Sequence, residues 1–365
     1  SRGAGLWRRA RRRAMMAANR QGVAMVWISL VTGCVGPDPG PTDVAGSPDG
    51  TDAGPTDTGP ATSTHTGAPT LGDDDDDGTT APESCGSLPA GPFEGFTTSV
   101  VHTEEDFDFD KLGYLLTQDN TSLAAFERTG ASHLVSPNIG SDAAGIRSLP
   151  NGDVVVAQPD TGALRKVTYD TGATTTVLGG IVFPNGLEVG VDGYVYSTEY
   201  TRNGLVRQID VESGDITVIA ELDYPNNLAL SPDEQVLYLV VSEGPLGGAG
   251  SDVVALDRGA DGAWGPDARP VGSSPDQLGG ITTDTCGNVY VVAIGTGQLV
   301  RIEVATGAMT TIAQLPSGGL VSQYSSLRFG AGIGAWGRTE LFVTNRVSLT
   351  VFDVGVEGRH VLAAR

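Results

Sequence analysis

Residues 185–196 read NGLEVGVDGYVY, and the same pattern recurs as GGITTDTCGNVY at 279–290 and as AGIRSLPNGDVV at 144–155. Each copy opens with a small or polar pair and an apolar third residue, and a turn rich in Gly, Asn or Asp then leads to a strand-forming run. Six copies, spaced 39, 41, 41, 53 and 46 residues apart, begin at Glu105, Ala144, Asn185, Asn226, Gly279 and Ser325. A period near forty residues with several short strands per repeat is typical of a β-propeller.

Three further strands are predicted within a repeat. In the second repeat, turns at 159–162 and 170–172 separate strand-forming runs at 154–157, 163–167 and 174–178. With the run that opens the repeat, this makes four strands. The sequence therefore predicts an all-β fold over residues 91–365, a six-bladed propeller of four-stranded antiparallel blades. Because a propeller places the same position of every repeat around one central channel, the six first residues should form a ring.

Two glycine-rich insertions interrupt the pattern. Residues 244–250 extend the fourth repeat, and residues 330–337 extend the sixth. Glycine-rich segments of this kind are either ordinary surface loops or part of the rim of a binding pocket.

The first 34 residues are expected to be a signal peptide. Seven arginines and no acidic residue lie in the first 20 positions, and a short apolar run then ends at Cys34. This order is typical of a secretory signal. The sequence VTGC at 31–34 looks like a bacterial lipobox, in which the cysteine is acylated; the alternative is an ordinary signal peptide. A lipid on Cys34 predicts anchoring in the bacterial cell envelope, at the outer membrane or surface, and cleavage without a lipid predicts secretion.

Residues 35–90 have the composition of a linker. Pro, Gly, Thr, Ser and Asp dominate, and Lys and Arg are absent. Such a segment cannot bury enough apolar surface to offset its loss of entropy on ordering, so it is predicted to be disordered. Without the seven N-terminal arginines the chain carries a net charge of −29. This charge argues against a nucleic-acid partner. It leaves the lipid on Cys34 as the expected membrane contact. The protein is expected to be a monomer.

Cys85 and Cys286 are expected to form a disulfide. If Cys34 carries a lipid, these two cysteines remain as a pair in an oxidising compartment. The bridge would connect the segment before the first repeat to the fifth repeat. The alternative is two free thiols.

The ring offers candidate metal ligands. Glu105 supplies a carboxylate, and Asn185 and Asn226 supply two amides at the same position of their repeats. Calcium prefers oxygen donors of this kind. The alternative is that the asparagines are turn residues at the start of a strand and that Glu105 is solvated.

From Glu105 to its end, the chain resembles the senescence-marker-protein/gluconolactonase family of six-bladed propellers. The resemblance rests on the order and spacing of individually weak motifs. These motifs are Glu105, Asn185 eight residues before Gly193, PNNL at 225–228, SSLRFG at 325–330 and LFVT at 341–344. The resemblance implies a calcium-dependent lactone or ester hydrolase, in which Glu105, Asn185 and Asn226 hold the metal.

The chain departs from the family in the fifth repeat. The family has a Pro-Asp-Gly-Met segment there, and its aspartate is a metal ligand and the proposed general base. The corresponding residue here is Gly279, which has no side chain to fill either role. Asp276, three residues earlier, is the remaining candidate for a catalytic base. The loss of the aspartate favours a second class of function, a non-catalytic binding or scaffold propeller at the cell surface with a degenerate metal site.

Overall fold

The computed structural model describes residues 85–98, 104–245, 250–265, 267–315, 324–346 and 348–361. The predicted signal peptide and almost all of the predicted linker lie outside these residues, as do positions 246–249 of the first insertion. Across the described part of the chain, the regular structure consists of β-strands arranged in six four-stranded sheets. No helix long and apolar enough to cross a membrane occurs within those residues.

The six sheets are antiparallel blades, which confirms the predicted fold. Each of the first five blades follows chain order from its inner to its outer strand. Blade 1 contains β2 (Phe107–Phe109), β3 (Leu115–Asp119), β4 (Ser122–Phe126) and β5 (Ser132–Ser136). Blade 2 contains β6 (Gly145–Ser148), β7 (Val154–Gln158), β8 (Ala163–Thr168) and β9 (Ala173–Gly179). Blade 3 contains β10 (Pro184–Val189), β11 (Val195–Glu199), β12 (Gly204–Ile209) and β13 (Ile216–Leu222).

The remaining blades complete the ring. Blade 4 contains β14 (Pro225–Leu230), β15 (Val236–Ser242), β16 (Ser251–Asp257) and β17 (Arg269–Ser274). Blade 5 contains β18 (Leu278–Thr283), β19 (Val289–Ala293), β20 (Gln298–Glu303) and β21 (Ala308–Gln314). Blade 6 contains β22 (Ser326–Phe329), β23 (Glu340–Thr344), β24 (Leu349–Asp353) and β1 (Phe96–Thr98).

The outer strand of blade 6 comes from the opposite end of the chain. Strand β1 precedes the first repeat, yet it pairs antiparallel with β24, with Phe96 opposite Val351 and Thr98 opposite Leu349. The sequence analysis expected each repeat to supply its own four strands. The sixth repeat supplies only three, and the added strand covers an edge that would otherwise present unpaired backbone groups.

Burial decreases from the inner to the outer strand of a blade. Every residue of β10 is buried, whereas β9, rich in threonine, alternates between partial and full exposure. Inner strands have neighbours on both faces, so they lack the polar alternation of a half-exposed strand. Apolar residues fill the space between blades; Leu149, Val155 and Leu187, for example, pack in the cluster between blades 2 and 3.

The predicted disulfide between Cys85 and Cys286 is present, with the two Cα atoms 5.5 Å apart. Cys286 lies in the turn between β18 and β19, where its backbone N–H donates to Asp284 Oδ1 at 2.9 Å. The bridge attaches the segment before β1 to blade 5. That segment is also held by a hydrogen bond of 2.7 Å from the backbone N–H of Phe93 to the carbonyl of Ile312.

The second insertion, residues 330–337, contributes Trp336 to the core and does not lie at the ring end of blade 6. It joins β22 to β23, at the opposite end of β22 from Ser325. Its Trp336 is 1 % exposed and packs with ring centroids 5.5 Å from Phe109 and 5.3 Å from Phe342.

Candidate functional site

The channel mouth is defined here as the end of the channel at which the inner strands begin. In blades 3, 4 and 5 the register between the first two strands shifts near this end, between Pro184 and Leu187, between Pro225 and Leu228, and between Leu278 and Ile281. The ring residues of these blades therefore lie in β-bulges. Bulges redirect side chains and often occur beside functional sites, and the sequence pattern did not indicate them.

Contacts between neighbouring inner strands confirm that the first residues form a ring. A Cβ on residue 186 would lie 2.5 Å from the carbonyl oxygen of Asn226, so Gly186 leaves room for this carbonyl. Asn226 Nδ2 donates to the carbonyl of Leu278 at 3.3 Å. Ser325 Oγ donates to the carbonyl of Glu105 at 2.6 Å. The inner strands thus meet closely enough that glycine is needed at the second position of the second, third and fifth repeats.

The two ring asparagines differ in their hydrogen bonding. Both are buried, with Asn185 9 % and Asn226 5 % exposed. The Asn226 amide has a structural partner in Leu278. The Asn185 side chain makes no hydrogen bond to any residue in the described part of the chain, and its polar atoms are not among the sealed buried atoms that lack a partner.

Glu105 has a cationic partner from the protein itself. Its Oε2 atom pairs with the guanidinium of Arg346, which follows β23 and adopts a left-handed backbone conformation with φ of 68°. Burial lowers the pKa of Arg346, and the charge of Glu104 opposes this effect. The sequence analysis did not identify Arg346, because its position relative to Glu105 depends on the closure of blade 6 against blade 1.

Gly279 has no space for an aspartate. A Cβ on this residue would lie 2.7 Å from the carbonyl oxygen of Tyr324 and 3.1 Å from that of Ser325. Both contacts are with backbone, so relief requires movement of the inner strand of blade 6. The glycine is therefore part of the packing between blades 5 and 6.

Asp276 lies on the loop between β17 and β18, as the sequence indicated. Its Oδ2 atom accepts a hydrogen bond from Thr296 Oγ1 at 2.8 Å, and its backbone N–H donates to Ser274 Oγ at 3.1 Å. Neither of these bonds connects it to the ring residues of the channel mouth.

The ring does not fit a tightly held calcium ion. Within the described residues no group of three or more His, Cys, Asp or Glu side chains is placed to hold a metal. The ring offers one carboxylate, that of Glu105, and Arg346 already neutralises it. Two amide oxygens and a paired carboxylate form a weak donor set for calcium, which usually has six to eight oxygen ligands.

Below the mouth, the channel contains a network of buried charges. The fourth residues of four repeats are Asp108, Arg147, Glu188 and Arg328, whose charges alternate in sign. Arg147 pairs with Asp106 at 2.5 Å, and Arg328 pairs with Glu188 at 2.8 Å. Charged residues at a buried strand position are a signal that the sequence analysis could have used.

The C-terminal segment closes the far end of this channel. Arg359 Nη1 donates to Glu188 Oε1 at 2.9 Å, and its other terminal nitrogen pairs with Glu234. His360 Nε2 lies 3.3 Å from Asp108 Oδ1. The cavity left among these side chains has a volume of about 10 Å³, which is barely enough for one water molecule. The far end of the channel therefore has no room for a ligand larger than water.

Burial raises the pKa of Glu188, and the positive charges of Arg359 and Arg147 oppose this shift. The arginine neighbours thus favour the ionised carboxylate, and burial disfavours it. At the mouth, burial also raises the pKa of Tyr200, which favours its neutral phenol.

No protein-family model matches this sequence, and no curated protein matches it. Solved structures do match its fold. Regucalcin from Agrobacterium tumefaciens, described as a calcium-binding protein, is 17 % identical with a TM-score of 0.59, over 74 % of this chain and 96 % of the other. A gluconolactonase from Xanthomonas campestris is 20 % identical with a TM-score of 0.57, over 73 % and 91 %. A luciferin-regenerating enzyme is 14 % identical with a TM-score of 0.55, over 73 % and 97 %.

At these identities the likeness is one of fold. The chain is a six-bladed propeller similar in structure to gluconolactonase- and regucalcin-type propellers, which confirms the resemblance seen in the sequence. Calcium binding is a property named for the Agrobacterium protein, and gluconolactonase is the activity named for the Xanthomonas protein.

Proposed function

We propose that this chain binds a small lactone or ester at the channel mouth, as a propeller of the lactonase type. The observation that carries the proposal is Asn185, whose side chain is nine-tenths buried at the mouth and makes no hydrogen bond to a described residue. The side-chain nitrogen and oxygen of Asn185 are not among the buried polar atoms that lack a partner, so they are accessible from the mouth. A ligand carbonyl that accepts from this amide would replace its hydrogen bond to water.

The other groups at the mouth suit the same class of ligand. A simple lactone is uncharged and has one polar ester group on an otherwise apolar ring, so it needs few polar contacts. Glu105 and Arg346 neutralise each other, which favours a neutral ligand over a free carboxylate. Anchoring of the propeller at the bacterial surface through Cys34 remains part of this proposal.

Replacing Asn185 by leucine is expected to weaken lactone binding about tenfold, because one hydrogen bond to the ligand is lost. The same change should alter the free energy of unfolding by less than about 1 kcal/mol, because the amide makes no hydrogen bond to a described residue and leucine has a similar size. Isothermal titration with δ-valerolactone and denaturant unfolding of the full chain measure the two effects.

Asn226→Leu is the matched control. It removes an amide of the same ring that already donates to the carbonyl of Leu278, so it should lower stability by about 1 kcal/mol. Unchanged lactone affinity in Asn185→Leu would show that Asn185 does not contact the ligand and would remove the observation on which the proposal rests.

Calcium-dependent hydrolysis of a lactone or ester is the second candidate. Three ring residues with oxygen donors favour it, and so do the activities named for the solved structures of the same fold. In this candidate Glu105, Asn185 and Asn226 would hold calcium and Asp276 would act as the base. The pairing of Glu105 with Arg346 and the absence of space at Gly279 count against it.

We expect calcium up to 1 mM to leave the melting temperature of the wild-type chain unchanged, because Arg346 neutralises the one carboxylate of the ring. Arg346→Ala should expose Glu105 and create a saturable increase, on the order of 5 °C at a hundred times the dissociation constant. The double variant Arg346→Ala/Glu105→Gln should lose that increase. A saturable increase in the wild-type chain, together with lactone hydrolysis that Asp276→Asn abolishes, would favour the hydrolase over the binding protein.

A further inference from the structure

Aromatic residues occupy an unusual backbone position beside the ring. The residue two positions before the ring residue has a positive φ in three consecutive blades: Asp142 at 53°, Phe183 at 55° and Tyr224 at 48°. The left-handed conformation at this position is therefore a feature of the repeat. Asp and Asn tolerate it, whereas a bulky aromatic residue in this conformation is a true outlier.

Hydrogen bonds from the neighbouring strand ends hold both aromatic residues in this conformation. The carbonyl of Phe183 accepts from the backbone N–H of Tyr200 at 2.9 Å, and the carbonyl of Tyr224 accepts from that of Ser242 at 3.1 Å. The N–H of Val182 donates to Glu199 Oε1 at 3.0 Å. Because the surrounding structure imposes the backbone conformation, the choice of an aromatic side chain needs another reason.

The two aromatic side chains join a third at the mouth. The ring of Tyr200 lies 6.0 Å from that of Phe183 and 5.8 Å from that of Tyr224. The Tyr200 hydroxyl accepts from Gln277 Nε2 at 3.0 Å and lies 3.2 Å from the carbonyl of Gly244, to which it donates. These bonds fix Tyr200 between blades 3, 4 and 5.

Part of this aromatic group faces solvent. Phe183 is 39 % exposed and its neighbour Val182 is 62 % exposed, although both are apolar. The exposed surface begins two residues before Asn185, the buried amide without a hydrogen-bond partner among the described residues. An apolar surface and an unpaired amide thus lie side by side in the chain.

We propose that Phe183, Tyr200 and Tyr224 form an aromatic wall that binds the apolar ring of an aryl-fused lactone or ester. The inference rests on the proposed function and specifies its ligand class. A ligand with a planar apolar ring beside its carbonyl would bury the exposed part of Phe183 while its carbonyl accepts from Asn185. Stacking against aromatic rings favours such a ligand over a lactone without a fused ring.

Two lactones that differ only in a fused benzene ring test this inference. δ-Valerolactone has the six-membered lactone ring alone, and 3,4-dihydrocoumarin carries the same ring fused to benzene. Isothermal titration of the full chain, with a chelator present, should show about tenfold tighter binding of 3,4-dihydrocoumarin. Phe183→Asn and Tyr224→Asn should each remove most of this preference and change the affinity for δ-valerolactone less than about threefold.

Melting temperature separates a binding role from a structural one. Asparagine accepts the left-handed conformation, so neither variant should lower the melting temperature by more than about 2 °C. Val191→Ala is the control, because Val191 is 53 % exposed in the turn at the opposite end of β10. It should change neither affinity.

Each of the other outcomes overturns the aromatic wall, the proposed function or both. The two asparagine variants could instead melt several degrees lower and bind both lactones as the wild type does. This result would show that the aromatic residues have a structural role and do not bind the ligand. Equal affinity for the two lactones in the wild-type chain would overturn the wall and leave the proposed function intact. Binding of neither lactone would overturn the proposed function and this inference with it.

Discussion

Replacing Arg359 by alanine is expected to destabilise the propeller by about 3–5 kcal/mol, because it removes one partner from a buried ion pair. Arg359 contacts both Glu188 and Glu234, whose side chains are 6 % and 10 % exposed. Glu188 keeps Arg328 as a neighbour, but within the described part of the chain Glu234 would keep only the backbone N–H of Val191 as a hydrogen-bond donor. At about 2–4 °C per kcal/mol, the melting temperature should fall by about 10 °C.

The control is an exposed ion pair elsewhere on the propeller. Arg269 pairs with Asp257 at 2.9 Å, with side chains 42 % and 56 % exposed. Arg269→Ala should cost less than about 1 kcal/mol. Equal melting temperatures for the Arg359→Ala and Arg269→Ala variants would contradict the assigned role of the C-terminal segment as a buried partner in the channel.

The effect of Arg359→Ala should depend on pH. Burial already raises the pKa of Glu188 above its ordinary value of 4.5, and Arg359 opposes this shift. Loss of Arg359 raises the folded-state pKa further, so the folded state binds a proton more tightly than the unfolded chain. Stability is then lost as pH rises from 4.5 through the raised pKa. The difference in free energy of unfolding between variant and wild type should therefore be larger at pH 7.5 than at pH 4.5.

Reduction of the Cys85–Cys286 disulfide is expected to lower the free energy of unfolding by about 2–5 kcal/mol. The two cysteines are 201 residues apart in the sequence, so the bridge restricts the unfolded chain over most of the propeller. In the folded state it fixes the segment that leads into β1, which pairs with β24 through three residues. Denaturant unfolding of the oxidised and reduced chain measures the difference.

The double variant Cys85→Ala/Cys286→Ala should match the reduced wild type and show no further response to reductant. We also expect faster proteolysis before β1 in the reduced protein, because Phe93 and its neighbours lose their covalent attachment to blade 5. Coincident unfolding curves for the oxidised and reduced wild type would contradict the predicted contribution.

Much of the fold was predictable from the sequence because its causes are local. Alternating apolar residues and Gly-, Asn- or Asp-containing turns recur with a period near forty residues, and strands such as β7, β8 and β9 form where these signals lie. The ring positions followed from that period, and the pairing of Cys85 with Cys286 followed from the small number of cysteines.

The candidate site was predictable only in part. The positions of Asn185 and Asn226 in the ring follow from the repeat, but the β-bulges in which both residues lie are not signalled by the sequence. The lack of space for a side chain at Gly279 depends on backbone carbonyls of blade 6. The positive φ values of Phe183 and Tyr224 depend on hydrogen bonds from neighbouring strand ends.

The sequence by itself determined the number of blades, their strand order in the first five repeats and the residues that line the ring. Only the tertiary structure decided that Phe96–Thr98 completes blade 6, that Arg346 neutralises Glu105, and that Arg359 enters the channel. Repeats and turns are set by residues a few positions apart. These other features join parts of the chain separated by more than a hundred residues, so they arise only when the ring of blades closes.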